Sequence, residues 1–143
     1  MSEPLQPGES PGFLLWRATL RWQRAVAAAL APFELTHVQF VLLACAWWLN
    51  EHGERPNQAA VARQAGTDVK MTSQVLRALE GRGLLERRPD GDDARARVIV
   101  ATRKGRALAP KAIAAVEAVD AEFFAPVPTK QAVRLLATLS ATD

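Results

Sequence analysis

The chain contains one cysteine, two histidines and no tyrosine in 143 residues. Its lone thiol, Cys45, cannot close a disulfide within the chain and fits a reducing compartment. With so few candidate nucleophiles and bases, no nucleophile–base pair can be assembled, and no glycine-rich phosphate loop is present. These absences point away from an enzyme and give no reason to expect a cofactor. His37, Cys45 and His52 fall on a similar side of one helix but would be spread over ~22 Å of its axis, too far to share a metal ion. No apolar run approaches the ~18–20 residues needed to cross a bilayer. The opening "MSEPLQPGESPG" lacks the basic start and apolar core of a signal peptide. A cytoplasmic protein with no membrane partner is expected.

Apolar residues make up 49% of the chain, enough for a real core and too many for a disordered one. The formal charge of +3 is modest, but its placement is uneven. Arg77, Arg82, Arg87, Arg88, Arg95, Arg97, Arg103, Lys104 and Arg106 crowd into thirty residues. Such a concentration suits a polyanionic partner, and a merely solvated charged face is the plain alternative.

Helical spacing of Leu15, Ala18, Trp22, Val26 and Ala29 predicts a first helix over 13–30. "THVQ" has the form of a capping box and opens a second helix at Thr36, apolar almost all round, running to about His52. Asn57 caps a short third helix, "QAAVARQA", stopped by Gly66. Asp68 caps a fourth that runs to about Glu80. Strands at about 84–88 and 95–101 flank the turn-rich "PDGDDA" and read as a hairpin. Thr102 caps a long fifth helix, and "TKQAVRLLATL" forms a sixth after "PVP". No internal repeat or interdomain linker interrupts them.

This order is that of a winged helix-turn-helix. On the fourth helix Lys70, Ser73, Gln74, Arg77 and Gly81 share one side, whereas Val69, Met71, Thr72, Val75, Leu76 and Leu79 take the other. Lysine and arginine suit phosphates and guanine edges; glutamine and serine can read bases or bind phosphate. Ala62 is small enough for two helices to cross closely, and Gly66 supplies the tight turn. Thr72 stands where such motifs bury a β-branched residue, so its hydroxyl needs a partner such as a carbonyl one turn back.

With these residues in place, the chain resembles the MarR family of winged-helix transcriptional regulators. "LTHVQFVLL" looks like the family's Leu-Thr-x-x-Gln-Phe opening of its second helix. "VARQAGTDVKMTSQVLRALEGRGLLERRPDGDDARARVIV" resembles its helix-turn-helix and wing, with the Asp93-x-Arg95 pair, and "ATRKGRAL" its Leu-Thr-x-x-Gly start of the fifth helix. The resemblance covers about residues 35–108. It implies a mainly α fold with a small β-hairpin wing and dimerisation helices at both ends: a tail at 1–12, a dimerisation helix at 13–34, a DNA-binding region at 35–101 and C-terminal dimerisation helices at 102–143.

The function so implied is a homodimeric, sequence-specific repressor of double-stranded DNA, released by a small effector. Its fourth helix would enter the major groove through Lys70, Ser73, Gln74 and Arg77. Arg95, its guanidinium held by Asp93, would reach the minor groove, with Arg97 nearby. A two-fold dimer implies an inverted-repeat site with half-sites about 10 bp apart. An apolar stripe of Ile113, Val116, Val119, Phe123, Phe124, Val133, Leu135, Leu136 and Leu139 suits that dimer, or packing within the chain. Trp16, His37, Trp47 and Trp48 are candidates to line a pocket for an aromatic or lipophilic effector, with ordinary core packing as the alternative. Cys45, flanked by apolar residues, reads as an inert core thiol. The main competing function is a winged-helix protein-interaction module, which would show an apolar or acidic face on the fourth helix.

Overall fold

The structure, a computed structural model, describes residues 2–93 and 95–141. Two compact units divide the chain, one comprising residues 30–115 and the other the two ends, 1–29 and 116–143.

In the central unit, α2 (His37–Glu51) starts at a complete capping box. The Thr36 hydroxyl accepts from the Gln39 N–H at 3.2 Å, and the Gln39 side chain accepts from the Thr36 N–H at 3.1 Å. Leu42, Leu43, Ala46 and Leu49 of this helix are buried. The Asn57 side chain caps α3 (Gln58–Ala65) by accepting from the Ala60 N–H at 2.9 Å. Gly66 then takes φ +75°, a left-handed conformation that closes α3 through its N–H to the Ala62 carbonyl at 2.8 Å. Asp68 caps α4 (Val69–Gly81), its carboxylate accepting from the Met71 N–H at 2.7 Å.

Thr72 is fully buried, and its hydroxyl is satisfied twice. It donates to the Asp68 carbonyl at 2.7 Å and lies 2.7 Å from the Thr67 hydroxyl. The carbonyl one turn back expected from the sequence is thus present. Leu76 and Leu79 of α4 are buried beside it, together with Val61 and Ala62 of α3.

The hairpin pairs β1 (Leu85–Pro89) with β2 (Arg97–Ala101) in antiparallel register, Leu85 opposite Ala101 and Pro89 opposite Arg97. Both strands are shifted from the sequence expectation. Leu84 precedes β1, its N–H donating to the Leu79 carbonyl, and Arg95 and Ala96 precede β2, their N–H groups turned to the carboxylate and carbonyl of Asp93. Asn50 fastens β2 to the end of α2: its amide donates to the Ile99 carbonyl at 3.2 Å, and its oxygen accepts from the Ala101 N–H at 2.8 Å. The Pro56 carbonyl accepts from the Ile99 N–H at 2.7 Å, giving the wing backbone another anchor on its outer side.

Thr102 caps α5 (Arg103–Phe123) by accepting from the Gly105 N–H at 3.0 Å, and its own hydroxyl donates to the Gly83 carbonyl at 2.6 Å. A Cβ on Gly105 would stand 2.0 Å from the Leu84 carbonyl oxygen, so only glycine fits at this crossing.

In the terminal unit, α1 (Pro11–Leu30) begins two residues before the expected start, and residues 7–9 form a 3-10 turn within the expected tail. Proline suits a first helical position, and the Ser10 hydroxyl accepts from the Phe13 N–H at 3.4 Å. The Trp22 indole N–H donates to the Asp120 carboxylate at 2.8 Å, linking α1 to the end of α5. After "PVP" comes α6 (Thr129–Ser140). This unit buries little: Val133, Leu135, Leu136 and Leu139 are exposed, as are Phe13, Leu14, Leu15 and Trp16. Val116, assigned to the same apolar stripe, is instead buried within the chain, and Ile113, Val119, Phe123 and Phe124 are half-buried. Among the described residues, no single helix is long and apolar enough to cross a membrane.

Candidate nucleic-acid interface

The geometry of α4 follows from its burial. Thr72, Leu76 and Leu79 bind it to the core, and the opposite side presents Lys70, Gln74, Arg77 and Gly81 to solvent, with Ser73 half-buried. Lys70, Gln74 and Arg77 therefore share the outward side, as their spacing predicted. Val69 and Met71, placed by their spacing on the side opposite the polar residues, do not join the core. They are 76% and 43% exposed. Both belong to the first turn of α4, and the buried threonine and leucines that anchor the helix follow them in the chain.

The tip of the wing consists of successive turns built on aspartates. The Asp93 N–H donates to the Asp90 carbonyl at 3.2 Å, and the Ala96 N–H to the Asp93 carbonyl at 3.1 Å. Asp90 also accepts through its carboxylate from the Asp92 N–H at 3.1 Å, and Asp93 from the Arg95 N–H at 2.9 Å. Asp93 thus does hold Arg95, but by its backbone; among the described residues no ion pair joins the carboxylate to the guanidinium. Aspartate competes well for nearby backbone N–H groups, which is why it is favoured in turns. Asp93, Arg95 and Arg97 are all exposed, Arg97 as the first residue of β2.

Much of the basic cluster has internal work. Arg82 donates to the Glu34 carbonyl at 2.5 Å and the Phe33 carbonyl at 3.2 Å, bracing a left-handed Glu34 with φ +54°. The Arg87 guanidinium pairs with Glu80 at 2.5 Å, and Arg88 pairs with Glu86. The Lys104 ammonium donates to the Arg82 carbonyl at 3.2 Å. Arg77, Arg95 and Arg103 have no ion-pair partner among the described residues, so cations available to a polyanion lie on α4, at the wing tip and at the start of α5. Residue type alone could not separate these two groups; Glu80 at seven residues from Arg87 was the only hint.

Of the aromatic candidates, Trp16 belongs to the terminal unit and His37, Trp47 and Trp48 to the central one. Trp16 is 62% exposed on α1, and on α2 His37 and Trp47 are half-buried while Trp48 is exposed. Trp48 stacks on His52 with ring centroids 3.9 Å apart, and the His52 Nδ1–H donates to the Trp48 carbonyl at 2.7 Å. In the terminal unit an apolar hollow of about 240 Å³ is lined by Leu15, Ala18, Thr19, Trp22, Phe123, Phe124 and Leu136. Trp22, whose spacing along α1 also suits a core residue, therefore belongs with the pocket candidates. Cys45 is half-buried rather than enclosed, and burial pushes its thiol above the usual range.

The MarR family model matches residues 35–96, which take in the helix-turn-helix and β1 and end just before β2. The HTH-type transcriptional regulator YdcH of Bacillus subtilis is 43% identical over 125 residues, covering 87% of this chain and 85% of its own. The HTH-type transcriptional repressor Rv2887 of Mycobacterium tuberculosis is 33% identical over 84% of each chain. It has been solved with DNA (TM-score 0.68, 30% identity, 92% of this chain and 98% of that one) and with salicylic acid (0.65, 32%, 91% and 93%). CouR of Rhodococcus jostii RHA1 bound to p-coumaroyl-CoA superposes with a TM-score of 0.83 at 32% identity, covering 95% of this chain and 93% of that one. The repressor CouR bound to a 23-mer DNA duplex superposes at 0.77 with 30% identity, covering 96% and 97%. An outward basic and amide-bearing α4, a wing tipped by arginine and relatives matched over most of their length agree: the chain belongs to the MarR family of winged helix-turn-helix transcriptional regulators.

Proposed function

We propose that the protein is a homodimeric, sequence-specific repressor that leaves its DNA when a small aromatic effector binds. The observation that carries this reading is the outward side of α4, where Lys70, Gln74 and Arg77 stand together in solvent while the opposite side is locked into the core. Such a helix can enter a major groove with its base-reading groups already positioned. Ser73 lies at the edge of that face. At the wing, Arg95 and Arg97 supply positive charge to the flanking backbone and minor groove, and Asp93 shapes the turn that presents Arg95. Homodimerisation is supported by the exposed Val133, Leu135, Leu136 and Leu139 of α6 and the exposed start of α1, which a lone chain leaves in water.

The effector class rests on the relatives, which bind salicylic acid and p-coumaroyl-CoA, an aromatic acid and the thioester of one. Trp47, Trp48 and His37 on α2, and separately Trp16 on α1, are the residues proposed to meet such a molecule. The family's members are regulators, and no catalytic step is assigned to this chain.

Selection of duplexes from a random pool by the purified protein tests the reading. An inverted repeat with half-sites about 10 bp apart is expected. Gln74→Ala should cost about 1–3 kcal/mol on the selected site and relax one position per half-site. Arg95→Ala should instead lower the salt dependence of binding by roughly one ion per subunit. Recovery of no consensus, with Gln74→Ala and Arg95→Ala both silent, would favour the protein-interaction module.

A further inference from the structure

Val69 is the first residue of α4, and it is 76% exposed. At 100° per residue it stands about 20° from the buried Leu76, about 40° from Ser73 and about 80° from Arg77 around the helix, on the border between the apolar and polar sides. Met71, 43% exposed, flanks the same first turn on its other edge. A single apolar residue in solvent would need no explanation. Two of them bracketing Lys70 on a helix whose Leu76 and Leu79 are fully buried and whose Val75 is half-buried are a different matter. The adjacent Asp68 carboxylate is committed to the Met71 N–H at 2.7 Å, so it is turned to capping rather than outward chemistry.

A recognition helix presents its N-terminal residues to base edges. On those edges the thymine C5-methyl is the apolar group, the others being donors and acceptors. Valine is stiff at χ1 and therefore holds its two methyl groups in a nearly fixed position without further loss of freedom on binding. We propose that Val69 reads the C5-methyl of one thymine in each half-site, adding apolar discrimination to the polar contacts of Gln74 and Arg77. This inference rests on α4 being the recognition helix.

The test removes the methyl from the DNA rather than from the protein. In the duplex selected by the wild-type protein, each thymine is replaced by deoxyuridine, symmetrically in both half-sites, and Kd is measured. One position should weaken wild-type binding by about fourfold per half-site, the loss of a buried methyl contact worth about 0.8 kcal/mol. Val69→Ala should bind the thymine duplex more weakly by a similar factor and be indifferent to uracil at that position. Being exposed and a good helix former, alanine at this site leaves the fold intact. No uracil-sensitive position, or a sensitivity that persists in Val69→Ala or disappears only in Met71→Ala, overturns the proposal. A failure of the recognition-helix reading would look different: Gln74→Ala and Arg77→Ala would both leave binding to the selected duplex unchanged.

Discussion

Replacing Gly105 by alanine sets two physical effects against each other. Alanine is the better helix former, and at a helical position without steric conflict the change should stabilise by about 1 kcal/mol. Here the added Cβ would lie 2.0 Å from the Leu84 carbonyl oxygen, 3.0 Å from its carbon and 3.5 Å from its Cα. That oxygen is backbone and cannot swing away as a side chain would. It also accepts from the Thr102 N–H and the Thr102 hydroxyl, each at 3.1 Å, so moving it strains two hydrogen bonds at the start of α5. Overpacking costs about 1–3 kcal/mol, and two weakened hydrogen bonds about 1 kcal/mol each. Against the propensity gain, a net loss of about 2–4 kcal/mol is expected, or roughly 7–13 °C in Tm for a chain of this size. Thermal unfolding of both proteins at equal concentration measures it, since Tm of a dimer depends on concentration. An unchanged or raised Tm for Gly105→Ala would refute the reasoning, because the helix would then have room to move off Leu84 at little cost.

Asp93 separates charge from turn geometry. Asp93→Asn keeps an acceptor for the Arg95 N–H and removes a charge that repels phosphate, so DNA affinity at low salt should rise, whereas Asp93→Ala removes the acceptor as well and should bind less tightly than Asp93→Asn. Equal affinities for the two variants would show that the turn contact does not position Arg95; a loss in Asp93→Asn would restore a guanidinium partner. Cys45 should be alkylated by iodoacetamide much more slowly than a free thiol at neutral pH, and faster as pH rises, because burial raises its pKa and holds it in the thiol form. Rapid labelling at neutral pH, or a peroxide response of DNA binding that Cys45→Ser abolishes, would make it a sensor.

The sequence determined what local physics governs. Thr36 with Gln39, Asn57, Asp68 and Gly66 mark helix ends through contacts that reach no more than four residues, and they could be named from residue type and spacing. The outward row of Lys70, Gln74 and Arg77 follows from helical periodicity, and the hydroxyl partner of Thr72 from the need to satisfy a buried donor. Tertiary structure decided the features in which distant segments compete for the same group. It alone showed that Arg82 is spent on the carbonyls of Phe33 and Glu34, about fifty residues away, that Asn50 fastens the wing to α2, and that Gly105 is required by Leu84. It also released Val69 and Met71 to solvent, because a helical wheel assigns angles without showing how far along the helix the core extends. The Asp93–Arg95 contact lies between these cases: the pair was legible in sequence, but whether the carboxylate meets backbone or guanidinium depends on the conformation of the turn that carries both.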